Sequence, residues 1–406
     1  MKYLSYALDS GTVSLRDAPV PTPSARQVIV RLTHSVVSRG TEKMLLTFGR
    51  AGWLERARQH PERVQQVLDK VWTDGPMVAR DALQDRLNRP MQLGYASAGV
   101  VHAVGVDVRN FEPGMRVACN GPHAEFVSVP QTFCARIPDG VSSEHAALTP
   151  IASVGLRALQ LAQLDLGSHV AVIGLGMIGS LTAALASAQG ARVLGVDPDA
   201  GARDRAASMG VFTTVPPEGA ARVASARTAR HGCDVVFVCT SGRDPAPLRS
   251  AVSLCRLGGR VVLVGASDVA LDRDAMYARE ISLMVSRSYG PGRQEEPYER
   301  GVDYPYAHVR WTAQRNFEAI LELMARGRLD PAPLIARQAA LEDAADVYAT
   351  LGPGASVFVY PEAEELPEAP TILRRDSRPP ASMELGVIGA GNYARRVFLP
   401  ALRDAG

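Results

Sequence analysis

Apolar residues recur in two patterns along this chain, and the pattern changes near residue 150. Residues 1–150 hold short β-like runs separated by Gly and Pro, which predicts an irregular all-β domain. In residues 151–288 such runs alternate with helix-compatible segments, which predicts a doubly wound parallel sheet of the α/β class. Strands are expected at residues 27–32, 98–104, 116–119 and 125–129 in the first part, and at 170–173, 192–196, 234–239, 260–265 and 281–287 in the second.

One segment of the first part has a helical period instead. Within residues 53–90, apolar side chains from Val64 to Trp72 fall at i, i+3, i+4, i+7 and i+8, with charged residues elsewhere. This predicts two helices joined near residues 73–76. The insertion either packs on its own domain or forms a lid or subunit contact over a cleft.

A glycine motif follows the first strand of the alternating part. It reads Gly174-x-Gly176-x-x-Gly179 and leads through a helical segment and a second apolar run to Asp197, close to the spacing of about 20 residues expected for a ribose-binding acid. The motif is typical of a β-α-β unit whose helix N-terminus binds a diphosphate. A 2′-phosphate would meet the charges of Asp197 and Asp199, which Arg203 only partly offsets, so NAD is favoured over NADP.

Residues at the carboxyl ends of the parallel strands should line the same cofactor crevice, because ligands bind at the switch point of such sheets. Each of them is otherwise an ordinary loop residue. Together with the three glycines and Asp197, the predicted cofactor-binding residues are Met177, Ile178, Cys239, Thr240, Gly265, Ala266 and Ser288.

The chain after residue 288 falls into three pieces. Residues 289–361 contain a helix at about 313–326 and a β-like run at 357–360, and should return to the first domain. Residues 362–383 form a Pro- and Glu-rich linker. Residues 384–406 open with LGVIGAGNYA, a second glycine-rich fingerprint. One strand and one helix cannot form a parallel sheet, so this tail is expected to be a truncated domain start, or a remnant, without its own cofactor site.

Composition narrows the classes of partner. The chain has 406 residues, is 46% hydrophobic and carries a formal net charge of +2 without a long like-charge block, so neither nucleic acid nor a membrane is an expected partner. Its N-terminus lacks a signal-peptide pattern, which predicts a cytoplasmic protein. Five scattered cysteines without a Cys-x-x-Cys pair exclude a four-cysteine zinc lobe and indicate buried free thiols.

Four motifs of the first part and the glycine fingerprint carry a family resemblance. Residues 94–101 (GYASAGVV), 111–118 (FEPGMRVA), 123–130 (HAEFVSVP) and 137–141 (IPDGV) resemble the medium-chain dehydrogenase/reductase superfamily. The resemblance implies a GroES-like catalytic domain followed by a Rossmann domain, and a possible homodimer. With residues 40–42 (GTE), the insertion, and residues 288–293, 303–305 and 309–312, the chain looks closer still to two-domain oxidoreductases fused to a Gfo/Idh/MocA-type domain, which are associated with sugar and surface-polysaccharide pathways.

The chain departs from the zinc alcohol dehydrogenases of this superfamily at the metal ligands. Arg39 stands where those enzymes place a catalytic cysteine, Tyr95 replaces their histidine, and the region near Thr149 offers no thiolate. Because catalytic zinc needs three N, S or carboxylate ligands, this departure predicts an enzyme without zinc.

Hydride transfer without a metal needs a donor at the substrate oxygen. Thr41 matches the family position of a substrate-binding hydroxyl, or is a turn hydroxyl. Tyr95 is either an acid in the cleft or a space-filling ring, and Glu42 is either an orienting base or an ion-pair partner of Arg39 or Lys43. Further along the chain, the predicted substrate-binding residues are Arg293, Tyr304 and Arg310, with surface ion pairs and interface packing as the alternatives.

These observations predict a zinc-independent, NAD(P)-dependent oxidoreductase of an alcohol/carbonyl pair in a small molecule related to sugars. Two alternatives stay open at this point. One is a catalytically weakened nucleotide-binding module that organises a fused or partner dehydrogenase. The other is a zinc alcohol dehydrogenase with unfamiliar ligands.

Overall fold

The computed structural model describes residues 1–7, 11–40, 42, 46, 91–211, 213–361, 391 and 394–404. Thr41, the whole predicted insertion at 53–90 and the predicted linker at 362–383 lie outside these residues. The chain divides into two compact units, Met1–Pro367 and Glu368–Gly406. The predicted boundaries at residues 150 and 288 fall inside the first unit and stay predictions.

The strands of the first unit follow the two apolar patterns. In chain order they are β1 (Lys2–Ala7), β2 (Thr12–Asp17), β3 (Gln27–Val37), β4 (Met91–Gln92), β5 (Ser97–Val104), β6 (Arg116–Cys119), β7 (Phe126–Pro130), β8 (Cys134–Arg136), β9 (His169–Ile173), β10 (Arg192–Val196), β11 (Thr214–Val215), β12 (Cys233–Val238), β13 (Cys255–Leu263), β14 (Ser282–Val285), β15 (Ile335–Ala340) and β16 (Ala355–Val359).

Within the described residues of this unit, the α-helices named here follow the first eight strands and begin at Ser143. In chain order the described ones are α1 (Ser143–Ala146), α2 (Thr149–Ala162), α3 (Met177–Ala188), α4 (Ala200–Ser208), α5 (Pro217–Arg227), α6 (Ala246–Leu254), α7 (Arg273–Tyr277), α8 (Glu296–Glu299), α9 (Ala313–Ala325), α10 (Ala344–Ala349) and, in the second unit, α11 (Leu399–Asp404). None of the helices in the described parts of the chain combines the length and the apolar character that crossing a membrane requires.

The predicted parallel sheet is present. Within the described residues its strand order is β11-β10-β9-β12-β13-β14, and all neighbouring pairs are parallel. The order reverses between β9 and β12, so a crevice opens at their carboxyl ends, beside the glycine motif. The strands read as nearly continuous apolar runs because helices cover both faces of the sheet. The expected fourth strand of this part, residues 260–265, is longer than predicted and begins at Cys255.

The first domain is built on mostly antiparallel sheets, as the short β-like runs predict. Strand β3 is its centre and pairs with β5, β7 and β16. Strand β16 comes from the end of the unit, so the chain returns to this domain after the parallel sheet. One continuous apolar core joins the two parts, and it includes Ala96 of the first and Val172 of the second.

Candidate active site

The glycine motif forms a tight bend between β9 and α3. Gly174 has φ +90°, and a Cβ there would lie 2.8 Å from Thr240 Cγ2. A Cβ on Gly179 would lie 1.8 Å from the carbonyl oxygen of Gly174, which confirms that this glycine permits close packing of helix and strand. A Cβ on Gly176 would meet nothing within 4 Å. The bend is therefore closed on its protein side and open on its outer side.

The open side of the bend faces the first turn of α3. This turn begins at Met177 and includes Ile178. No described side chain caps this helix at Gly176, so its first backbone N–H groups remain available to a ligand. An anion is the ligand that such a helix end favours. The residues present thus fit the diphosphate of a dinucleotide.

Asp197 follows β10 and lies at the bend, as its spacing predicts. Its Oδ2 accepts a hydrogen bond from the backbone N–H of Leu175 at 2.7 Å, and its Oδ1 accepts one from Asp199 at 2.8 Å. A carboxylate has about four lone-pair sites, so these two bonds leave acceptor capacity for a ligand. Arg203 donates to the carbonyl oxygens of Asp197 and Pro198, at 2.7 and 2.9 Å.

The loops after β12 and β13 meet next to the bend. A Cβ on Gly265 would lie 1.8 Å from the carbonyl oxygen of Thr240, so the two loops touch through their backbones. Ala266 accepts a hydrogen bond from Gly242 at 3.0 Å. Thr240 and Gly265 thus lie at the crevice edge where the switch-point rule places them. Ser288 follows β14 in a left-handed conformation, with φ +43°.

Cys239 contributes backbone to this edge and packs its thiol elsewhere. Its N–H donates to the carbonyl oxygen of Ile173 at 2.8 Å. Burial raises the pKa of its thiol to about 12, although a hydrogen bond with Thr182 of α3 opposes the rise. The side chain therefore faces helix α3, and its role in cofactor binding stays a prediction.

All five cysteines are expected to react slowly. Burial raises the pKa of Cys119 to about 11, raises those of Cys233, Cys239 and Cys255 to about 12, and holds that of Cys134 well above its usual value. Since the thiolate is the nucleophile, iodoacetamide at pH 8 should leave the folded protein largely unmodified and add five groups after unfolding in urea. Rapid labelling of the folded protein, measured by mass spectrometry, would contradict this burial.

Two tyrosines meet where the first domain faces the loop after β14. Tyr95 donates a hydrogen bond to Ser38 Oγ at 2.8 Å, and Tyr289 donates one to Asn120 Oδ1 at 2.8 Å. Burial holds the pKa of Tyr289 well above its usual value; the nearby Tyr95 phenol adds to this rise and Arg293 opposes it. The arrangement brings Tyr95 to the same side of the molecule as the residues that follow β14.

Glu42 is buried, with 1% of its surface exposed. Its Oε1 accepts a hydrogen bond from the backbone N–H of Ser38 at 2.8 Å. Its Oε2 accepts one from the Tyr348 hydroxyl and lies 3.4 Å from His123 Nε2. These described contacts match an orienting role and differ from the alternative of an ion pair with Arg39.

The three predicted substrate residues each have partners within the protein. Arg293 forms an ion pair with Glu299. Tyr304 stacks on Tyr298 with ring centroids 5.8 Å apart. The guanidinium of Arg310 lies 3.9 Å from the centroid of the Trp311 ring. These contacts resemble the alternatives of surface ion pairs and interface packing. Contact of the three residues with a substrate stays a prediction.

Sequence reasoning missed Ser38, Asn120 and Tyr348. Ser38 and Glu42 are four residues apart, one more than in a capping box, so their closeness along the chain was the only readable signal for this pair. The other two had none, because Tyr289 meets Asn120 across 169 positions and Tyr348 meets Glu42 across 306.

Two family models match the chain. Residues 71–139 match the alcohol dehydrogenase GroES-like domain, and residues 178–302 match the zinc-binding dehydrogenase domain. Neither match reaches residues 384–406, so the resemblance of that segment to a Gfo/Idh/MocA-type domain stays a prediction.

Relatives of known activity are polyol dehydrogenases. Human sorbitol dehydrogenase is 26% identical over 291 residues, which cover 63% of this chain and 72% of the human protein. The sorbitol dehydrogenase of Gallus gallus is 25% identical, with 89% and 96% covered. Among solved structures, galactitol-1-phosphate dehydrogenase from Escherichia coli superimposes with a TM-score of 0.67 at 20% identity, with 89% of this chain and 100% of that chain covered.

The prediction that the enzyme works without zinc is wrong, because the model matched by residues 178–302 is that of a zinc-binding dehydrogenase and zinc is therefore expected of this family. Within the described residues, no three His, Cys, Asp or Glu side chains are grouped so that they could hold a metal ion. The described residues thus do not fit a zinc site, and the ligands that the family implies are not identified among them.

The family matches, the polyol dehydrogenase relatives and the pairing of a GroES-like domain with a six-stranded parallel sheet agree with one another. The chain has the GroES-like plus Rossmann-type α/β fold of medium-chain dehydrogenases/reductases, and the relatives it matches are enzymes of that type.

Proposed function

We propose that this enzyme interconverts a secondary alcohol of a polyol and the corresponding ketone, with NAD as the hydride carrier. The observation that carries the proposal is the hydrogen bond of Asp197 to Leu175 inside the glycine bend, since it holds a carboxylate where an adenosine ribose would lie. The polyol as substrate class is taken from the relatives, which are named sorbitol and galactitol-1-phosphate dehydrogenases.

The residues of the bend hold the cofactor in this proposal. The N-terminal amides of α3 bind the diphosphate, with Gly176 leaving room for it, and the free lone pairs of Asp197 accept from the ribose hydroxyls. Thr240, Gly265 and Ser288 line the same crevice. When bound, NAD accepts a hydride from the carbinol carbon.

Tyr95 handles the proton of the substrate hydroxyl. Its oxygen accepts this proton as its own proton moves along the existing hydrogen bond to Ser38 Oγ, 2.8 Å away. Ser38 gives up its own hydroxyl proton in the same step, so that one proton passes to solvent for each alcohol oxidised. In the direction of reduction Tyr95 donates to the carbonyl oxygen instead. A positioned acid or base of this kind contributes about 10²- to 10⁴-fold to a rate.

The alternative of a weakened nucleotide-binding module is not favoured, because the relatives are named as active dehydrogenases. Sorbitol, xylitol and galactitol 1-phosphate, each with NAD+ or NADP+, separate the two in an absorbance assay at the nicotinamide band. We expect turnover with at least one polyol and NAD+. Binding of NADH without turnover of any of the three would overturn the polyol assignment.

Changing Asp197 should weaken NADH binding selectively. In Asp197→Asn the uncharged amide loses charge-assisted hydrogen bonds to the ribose, each worth about 1.5–3 kcal/mol, so the Kd for NADH should rise by about 10- to 100-fold. The Kd for NADPH should rise less, because repulsion of its 2′-phosphate is relieved as well. Isothermal titration calorimetry measures both values.

Asp199→Asn is the matched control, since Asp199 caps α4 by accepting from Gly201 at 2.9 Å and follows two residues later. Its Kd for NADH should stay within about threefold of that of the unchanged protein, as expected for an exposed cap. Equal effects of the two substitutions, or tighter binding of NADPH than of NADH by the unchanged protein, would show that Asp197 does not bind the ribose.

A further inference from the structure

A buried group of polar side chains adjoins the segment that carries Tyr95. His123 is 0% exposed and Glu42 is 1% exposed, and His123 Nε2 lies 3.4 Å from Glu42 Oε2, in close polar contact without a hydrogen bond. His123 Nδ1 lies 2.7 Å from Ser35 Oγ, which lies 2.8 Å from the Tyr360 hydroxyl. The Tyr348 hydroxyl donates to Glu42.

Packing alone does not account for such a group. Burying a carboxylate and an imidazole costs free energy that their mutual contacts only partly return. Apolar residues of similar volume often stabilise a core as well or better. The polar identity of His123 and Glu42 therefore calls for a role beyond filling space.

On one side, His123 contacts Glu42, which in turn is hydrogen-bonded to Ser38. Glu42 Oε1 accepts from the backbone N–H of Ser38 at 2.8 Å, and the N–H of Glu42 donates to the carbonyl oxygen of Ser38 at 2.8 Å. These two bonds tie Ser38 to Glu42. The position of Glu42 against His123 thus helps to hold the Ser38 backbone that carries the hydroxyl.

On the other side, His123 sets the path of the backbone into Tyr95. Its N–H donates to the carbonyl oxygen of Leu93 at 2.8 Å. Its ring lies so close to Gly94 that a Cβ there would be 2.6 Å from ring Cδ2, and Gly94 has φ +86°. The residue directly before Tyr95 is therefore held against the imidazole.

We infer that His123 is a positioning residue for proton transfer at Tyr95, since it contacts the supports of both partners in the Tyr95–Ser38 hydrogen bond. The inference rests on the role of Tyr95 given under the proposed function. A displacement of about 1 Å at a reacting group is enough to lower a rate by about 100-fold. Loss of the His123–Glu42 contact should therefore lower the rate of the chemical step.

Two substitutions test the contacts of the two ring nitrogens of His123 separately. The amide of His123→Asn takes the place of Nδ1 beside Ser35 and is too short to reach Glu42, whereas that of His123→Gln takes the place of Nε2. With NAD+ and the best polyol of the panel, kcat should fall by about 10- to 100-fold in His123→Asn and recover to within about threefold in His123→Gln. KM and the Kd for NADH should change by less than about threefold in both.

A merely structural His123 gives a different result. Both variants would then lose thermal stability to a similar extent, and kcat per folded molecule would stay unchanged, which would overturn the inference. His102→Asn is the control, because His102 is a partly buried histidine whose ring packs edge-on against Phe126 at 5.3 Å. It should leave kcat unchanged.

The double variant Tyr95→Phe/His123→Asn separates the inference from the proposed function. If His123 acts through Tyr95, the second substitution should lower kcat by less than about twofold once Tyr95 is changed. The same loss in both backgrounds would overturn the inference and leave the role of Tyr95 intact. An unchanged kcat in Tyr95→Phe alone would instead remove the proposed role of Tyr95.

A crystal structure of His123→Asn tests the inference without any turnover. The distance between the Tyr95 hydroxyl and Ser38 Oγ should exceed about 3.5 Å, beyond hydrogen-bond range. Retention of the 2.8 Å hydrogen bond in that variant would overturn the positioning role.

Discussion

Tyr95→Phe should lower kcat by about 100-fold or more while the Kd for NADH stays within about twofold of its original value. The substitution removes the hydroxyl that bonds Ser38 at 2.8 Å and leaves the ring in place against the core. The loss belongs to proton transfer, because the residues that hold the cofactor belong to the parallel sheet. Steady-state turnover of the best polyol and fluorescence titration with NADH measure the two quantities.

Tyr277→Phe controls for the loss of a tyrosine hydroxyl as such. Tyr277 lies on α7 with 74% of its surface exposed, so its variant should keep the original kcat. A fall in kcat of less than about threefold in Tyr95→Phe would mean that the phenol only fills space, which was the alternative that the sequence left open.

Gly179→Ala should abolish measurable NADH binding and destabilise the fold. The added Cβ would lie 1.8 Å from the carbonyl oxygen of Gly174 and 3.2 Å from Cys239 Cβ, so either the helix or the bend has to move. Forcing such an overlap into a packed core costs about 1–3 kcal/mol, and more where backbone has to shift. Urea unfolding and calorimetric titration with NADH measure the two effects.

Gly219→Ala provides the comparison. This glycine lies in the first turn of α5, and the nearest atom to an added Cβ is 3.7 Å away, an ordinary contact. Alanine there should be neutral or stabilise by up to about 1 kcal/mol through its helix propensity. A Gly179→Ala protein that binds NADH as tightly as the unchanged enzyme would show that helix and strand tolerate a wider separation at the bend.

The parallel sheet was predictable because its information is local. Strands buried on both faces need unbroken apolar runs, and the spacing from Gly174 to Asp197 reflects one β-α-β unit. Neighbouring elements of that unit touch, so the position of Asp197 beside Leu175 follows from chain order alone. The metal was misjudged for another reason. Unfamiliar residues at three motif positions do not by themselves show that a chain matching a zinc-binding dehydrogenase model works without zinc.

The sequence by itself thus determined the two-part architecture, the glycine bend between β9 and α3, and the residue types available for proton transfer. Only the tertiary structure decided that Tyr95 bonds Ser38, and that Glu42 meets Tyr348 from 306 residues away beside His123. Apolar periodicity specifies which face of an element is buried, but not which distant polar group it meets. These contacts between distant residues depend on the pairing of strands β3 and β16. That pairing forms only when the chain returns to its first domain.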